Sequence, residues 1–302
     1  DRPADAMGAL LAATLAEPND FEAQLALGEA ALAAGHGAIA GEALAAAIRL
    51  QPENSAAVRL REQAGRLAES VETAEPRDLL LSHVEVNRLQ GTGVLLERFF
   101  PDSSNFITVR SRTLYQGHVH FGGIHYSLDL PGLPEAARRE VLRRLLAPYR
   151  IRRILCVPFF ASDFMHGIAA RELTGAPLCT YVMDDQTVYS REVAAELAQR
   201  LLVASDLRLT ISPQMTAAYV RWFGGTYGLL PPIVASSSDA APNTWTPGDG
   251  PARHCAMVGN IWSAQQFEQL RTFARAAGLT IDWFGNAEVA WLPQDREELA
   301  RD

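Results

Sequence analysis

The chain has 302 residues, 48% of them hydrophobic and 21% charged, with a formal net charge of -8. That length and apolar content allow about two domains with ordered cores. The acidic balance, with no run of basic residues, argues against a nucleic-acid binder, which needs a clustered Arg or Lys footprint.

The first segment is rich in Ala and Leu. Pro18 and Pro52 stand 34 residues apart in the matching contexts EPND and QPEN, the spacing of a helix-turn-helix repeat. Taking Phe21 as the first repeat position puts Leu27 and Gly28 at a Leu-Gly pair, with Ala40, Ala47 and Pro52 at the small-residue and proline positions. Small residues there let the two helices of a hairpin approach closely. The pattern resembles a tetratricopeptide repeat over about residues 5 to 72, and implies a protein partner. ESVETAEPRD then reads as a polar linker, closing a helical segment over 1–75.

From Leu79 onwards, short apolar runs alternate with helical patterns. Strands are expected at Leu79–Val84, Phe106–Val109, Ile154–Phe159, Leu178–Met183 and Leu207–Ile211. Helices are expected near Gly93–Phe100, Pro134–Leu146, Asp163–Leu173, Arg191–Ala204 and Pro213–Phe223. This alternation predicts α/β architecture, a doubly wound and mostly parallel sheet over 76–236. ASSSDAAPNTWTPGDGPARH is a second linker, rich in turn formers. The pattern then restarts with Cys255–Val258, a helix over Ala264–Ala276 and Leu279–Phe284, the start of a second Rossmann-like sheet over 255–302.

Cys156, Cys179 and Cys255 are scattered and odd in number, which suits neither a metal site nor a disulfide framework. A reducing, cytoplasmic setting is expected. No signal-peptide pattern and no apolar run of membrane-spanning length is visible. The chain lacks an initiator Met and stops amid the helix-like QDREELARD, so it reads as a fragment.

Four stretches carry candidate chemistry. Gly91-Thr92-Gly93 sits between the first strand and its helix, where bare backbone and a helix N-terminus suit a phosphate, although Leu96 stands where a third glycine belongs. His118, His120 and His125 cluster, with His118 and His120 on one face of an expected strand, but without the Cys or carboxylate of a metal site. Asp163 and His166 lie three residues apart at the start of a helix, on one side of its first turn. Asp184 and Asp185 end a strand. Helix capping accounts for one of them and leaves the other for function. Asp163, His166, Asp184 and Asp185 all fall at the carboxyl ends of strands, where open α/β sheets bind ligands.

ASDLRLTISPQMTAAYVRWFG followed by GLLPPIV resembles the end of the acceptor domain of GT-B glycosyltransferases, where a helix and a glycine precede the strand entering the interdomain linker. CAMVGNIWSAQQFEQL and GLTIDWFGNAE resemble the start of their nucleotide-sugar domain. The resemblance spans about residues 79 to 290. It implies a nucleotide-sugar donor as co-substrate, a protein or glycan acceptor, no further cofactor, and donor contacts from Gly91, Thr92, Gly93, Gly259 and Asn260. It implies an acceptor-side carboxylate, assigned to Asp185 with Asp184 as support or cap; His166, read from its place at a strand's carboxyl end, is the further catalytic candidate. Asp-Asp-Gln is not the Asp-x-Asp pattern of metal-dependent transferases, so no metal is expected. The segment GNIWSAQQFEQLR departs from the class in having no basic residue before Arg271. A non-catalytic interaction protein on a degenerate form of the fold, and an epimerase on the same fold, are the alternatives.

Overall fold

The computed structural model describes residues 3–69, 75–232, 254–261 and 263–285. The chain divides into two compact units, Asp1–Ile233 and Val234–Asp302. The linker expected at 235–254 lies almost wholly outside the described residues, as does much of the one at 69–78.

Unit one begins with helices α1 (Pro3–Ala16), α2 (Phe21–Ala33), α3 (Gly37–Leu50) and α4 (Ser55–Glu69). Asp20 starts α2 by accepting the amide of Ala23 at 3.2 Å, and Asn54 accepts the amide of Ala57 at 3.0 Å ahead of α4. A Cβ at Gly28 would come within 2.5 Å of Leu44 Cγ, so only glycine permits the approach of α2 to α3. Ala40 and Ala47 are fully buried on the α3 side.

The sheet that follows is built from β1 (Arg77–Ser82), α5 (Gly91–Phe99), β2 (Phe106–Arg110), β3 (Ile124–Ser127), α6 (Glu135–Leu146), β4 (Ile151–Val157), α7 (Ala161–Thr174), β5 (Leu178–Val182), α8 (Ala195–Ala204), β6 (Leu207–Thr210), α9 (Pro213–Phe223) and β7 (Gly228–Leu229). All neighbouring strands pair in parallel, in the order β3-β2-β1-β4-β5-β6-β7. The fold is the expected doubly wound α/β sheet after helical hairpins. β3 was not legible beforehand, β7 lies within GLLPPIV where the resemblance put a strand, and the strand expected around His118 and His120 does not form. Both histidines lie in the loop before β3.

Side chains alternate across β1. Leu79 and Leu81 enter a core with Ile107, Val141, Phe164 and Leu201, whereas Leu80 packs on the other face with Leu95, Leu96, Phe106 and Tyr181. Burial on both faces is why the strand reads as a continuous apolar run. The helical layer belongs to the first of these cores through Met7, Leu11, Leu27 and Leu44. A Cβ at Gly8 would lie 2.1 Å from the carbonyl oxygen of Ser127, so α1 presses directly on β3. His36, at the α2–α3 turn, hydrogen-bonds the hydroxyls of Tyr126 and Tyr149.

Unit two contains β8 (His254–Val258), α10 (Ala264–Ala277) and β9 (Thr280–Phe284), a parallel pair joined by a helix. Ser263 caps α10 by accepting the amide of Gln266 at 3.1 Å. Gly278, in the left-handed region with φ 62°, ends it.

Candidate functional site at the carboxyl edge of the sheet

The chain leaves β1 towards one edge of the sheet and leaves β4 towards the other. The carboxyl ends of these two neighbours therefore flank the topological switch point, where ligands bind in sheets of this order.

Polar side chains collect there. Ser82 ends β1, and the His83 ring stacks on Phe159 beyond β4, with centroids 5.1 Å apart. The Arg112 guanidinium lies over the Phe160 ring at 5.5 Å. The loop after β2 is tied to β1 by the amide of Ser111 donating to the Ser82 carbonyl at 3.1 Å and that of Arg112 to the His83 carbonyl at 2.9 Å. Ser111 Oγ meets His166 Nδ1 at 3.0 Å. Asp163 Oδ2 accepts the amides of Phe159 at 2.9 Å and Phe160 at 2.6 Å, fixing the entry to α7.

These groups are only half satisfied. Among the described residues, Ser82 Oγ, His83 Nδ1, Asp163 Oδ1 and His166 Nε2 are buried without a hydrogen-bond partner, and each such atom costs about 1–3 kcal/mol. Burial also sets their protonation. It pushes the Asp163 carboxyl up to about 6 and holds His83 and His166 down at about 4.

Glu85 organises the neighbouring loop from within. Its carboxylate is buried and accepts the amides of Leu114 at 3.0 Å, Tyr115 at 3.2 Å and Gly117 at 2.8 Å. Sequence reasoning passed over His83, Glu85, Ser111 and Arg112. The signal was the charged residue inside the otherwise apolar VEV, directly after β1.

The paired aspartates follow β5 and have different surroundings. Asp185 accepts the amides of Thr187 at 3.1 Å, Val188 at 2.9 Å and Tyr189 at 2.7 Å, and the Tyr219 hydroxyl at 3.0 Å. Asp184 has no hydrogen-bond or ion-pair partner among the described residues. Its carboxyl is open to solvent yet crowded by protein on one side, and this partial desolvation holds its pKa above the ordinary range. The capping role expected of Asp184 therefore belongs to Asp185, because three consecutive amides of the 187–189 turn point at the second carboxylate.

The Gly91-Thr92-Gly93 turn comes to the same edge. Thr92 Oγ1 lies 3.5 Å from the sulfur of Met183, the residue before Asp184. Gly91 opens α5 with nothing within 4 Å of where its Cβ would be. Gly93 differs, since a Cβ there would sit 1.8 Å from the Asn87 carbonyl oxygen. Close packing of α5 on the preceding loop accounts for that glycine. In unit two, Gly259 has φ 126° and its amide donates to the Phe284 carbonyl at 3.0 Å, with Asn260 next in the turn.

His125 Nδ1 meets Thr108 Oγ1 at 2.8 Å, while His118 and His120 are exposed. Among the described residues, no three His, Cys, Asp or Glu side chains are grouped to hold a metal ion. Nor is any described helix long and apolar enough to cross a membrane.

No family model matches the chain, and no curated protein matches it. Among solved structures, it is similar to a mutant O-GlcNAc transferase of Thermobaculum terrenum. The two share 14% identity at a TM-score of 0.32, over 98% of this chain and 65% of that one.

Proposed function

We propose that the chain is part of a glycosyltransferase that moves a sugar from a nucleotide-sugar to an acceptor hydroxyl, with Asp184 as the general base. The observation that carries this reading is the unpartnered, partly desolvated Asp184 carboxylate at the carboxyl edge, next to Met183, whose sulfur meets Thr92 of α5. The GT-B resemblance of the sequence supplies the reaction class.

In this reading the acceptor oxygen bonds to the anomeric carbon as its proton passes to Asp184, and the nucleoside diphosphate departs with the electrons of the broken bond. A raised pKa makes Asp184 a stronger base than an ordinary carboxylate. Asp185 positions it by holding the 187–189 turn. Gly91 and Thr92 are the proposed donor contacts of unit one. His166 supports the edge through Ser111. The helical hairpins are proposed to engage a protein partner.

The test is a thermal-shift panel of nucleotide-sugars on the full-length protein. A true donor at about 100 times its dissociation constant adds about 2.7 kcal/mol of apparent stability. No response to any nucleotide-sugar would overturn the reading.

A further inference from the structure

A second polar site lies away from the carboxylate pair, in the groove between the N-terminal halves of α6 and α7. Its cavity of about 40 Å³ is lined by Arg138 and Arg139 of α6, by Met165, His166 and Ile168 of α7, and by Arg200 of α8, among others. That volume holds about three water-sized groups.

The charges in this groove are not balanced. Arg139 is consumed by an ion pair with Glu172. Arg138 is anchored by two carbonyls, donating through Nε to Leu133 at 2.9 Å and through Nη2 to Leu130 at 2.7 Å. Neither contact neutralises its charge, and among the described residues no carboxylate pairs with Arg138 or Arg200. Glu135 is the one remaining acidic residue of the lining, so the groove keeps a net positive charge.

His166 adds a buried polar atom. It is 3% exposed, and its Nε2 has no partner among the described residues. Nδ1 meets the Ser111 hydroxyl at 3.0 Å, which leaves Nε2 as the open position of the ring. The positive charge of Arg138 reaches this ring, since it joins burial in holding the imidazole in its neutral form.

A buried ring nitrogen without a partner, beside two guanidinium groups from different helices that no carboxylate pairs among the described residues, is a polar set lacking a ligand. We propose that this groove binds a tetrahedral oxyanion, a phosphate or phosphate monoester, held by His166 Nε2, Arg138 and Arg200. Two guanidinium groups and a ring nitrogen from three helices suit the several oxygens of a tetrahedral ion, and guanidinium groups form strong charge-assisted bonds to phosphate. The other face of His166 meets Ser111, so an occupant bears on the residue that links the groove to the carboxyl edge. The site is independent of the transfer reaction proposed above and requires no donor sugar.

The experiment is histidine-detected NMR on the ¹⁵N-labelled chain, titrated with inorganic phosphate, with glycerol phosphate, and with sodium chloride at matched ionic strength. The H166Q variant assigns the resonance. Phosphate at millimolar concentration is expected to shift the His166 signals saturably and raise the imidazole pKa, because an adjacent anion favours the charged ring. Chloride is expected to leave both unchanged. Tighter binding of glycerol phosphate identifies an ester as the occupant, and equal binding identifies the free ion. R138Q is expected to weaken binding about tenfold, the loss of one charge-assisted hydrogen bond. Arg138 also anchors the turn before α6, so R200Q, at an exposed position, carries the test should R138Q unfold. A His166 signal indifferent to phosphate, or a response undiminished in R200Q and in folded R138Q, would overturn the proposal.

Discussion

Replacing Asp185 by Asn separates the two carboxylates by their structural work. Asp185 accepts three backbone amides and the Tyr219 hydroxyl, at 2.7 to 3.1 Å. Asn keeps one oxygen, which retains the Oδ1 contacts as weaker neutral bonds. Its amide group then faces the Tyr189 amide, donor against donor. One hydrogen bond to a charged group is worth about 1.5–3 kcal/mol, and with the weakening of the others the expected loss is about 2–4 kcal/mol. For a unit of this size each kcal/mol lowers the melting temperature by roughly 2–4 °C. Asp184→Asn removes a charge with no partner, so its stability should stay within about 0.5 kcal/mol of the parent. Urea denaturation of both variants, followed by circular dichroism, measures the difference. Equal effects, or a larger loss in Asp184→Asn, would refute the assignment of Asp185 as the capping residue.

Gly93→Ala should destabilise unit one strongly, because its Cβ meets the Asn87 backbone at 1.8 Å, while Gly91→Ala should be tolerated; paired thermal melts check both. Acidification should weaken the fold through its buried histidines. His36, His83 and His166 are held at about 4 by burial, below the unfolded value of about 6.5. Their contribution is fully present above that value and is lost as pH falls towards 4. Asp163, raised to about 6 by burial, acts in the opposite sense, since its charged form opposes folding as pH rises through 6. Three groups outweigh one, so the midpoint of urea unfolding should fall between pH 6.5 and 4.5. His36→Gln should flatten that limb, and a slope unchanged in the variant would contradict the assignment.

Most of the fold was legible because strands buried on both faces leave plain apolar runs, and caps such as Ser212 and Ser263 stand directly before their helices. β3 was hidden because IHYS carries polar residues at an edge of the sheet, and β7, whose two residues make no pattern, was placed only by the resemblance. In the site, Asp163, His166 and the aspartate pair were visible as carboxylates and a histidine at strand ends. The roles within the pair were not, because they depend on which carboxylate the 187–189 amides face. His83 was absorbed into a strand read two residues too far, to Val84 instead of Ser82. Ser111 and Glu85 gain their meaning only from partners 55 and 29 to 32 residues away.

The most direct test of the functional account is turnover by Asp184→Asn in the full-length protein, with nucleoside diphosphate release measured from the nucleotide-sugar that the panel identifies. If Asp184 takes the acceptor proton, turnover should fall by about 10²–10⁴, the range for a general base, while donor affinity and melting temperature stay close to the parent. Unchanged turnover in a folded, donor-binding variant would contradict the account.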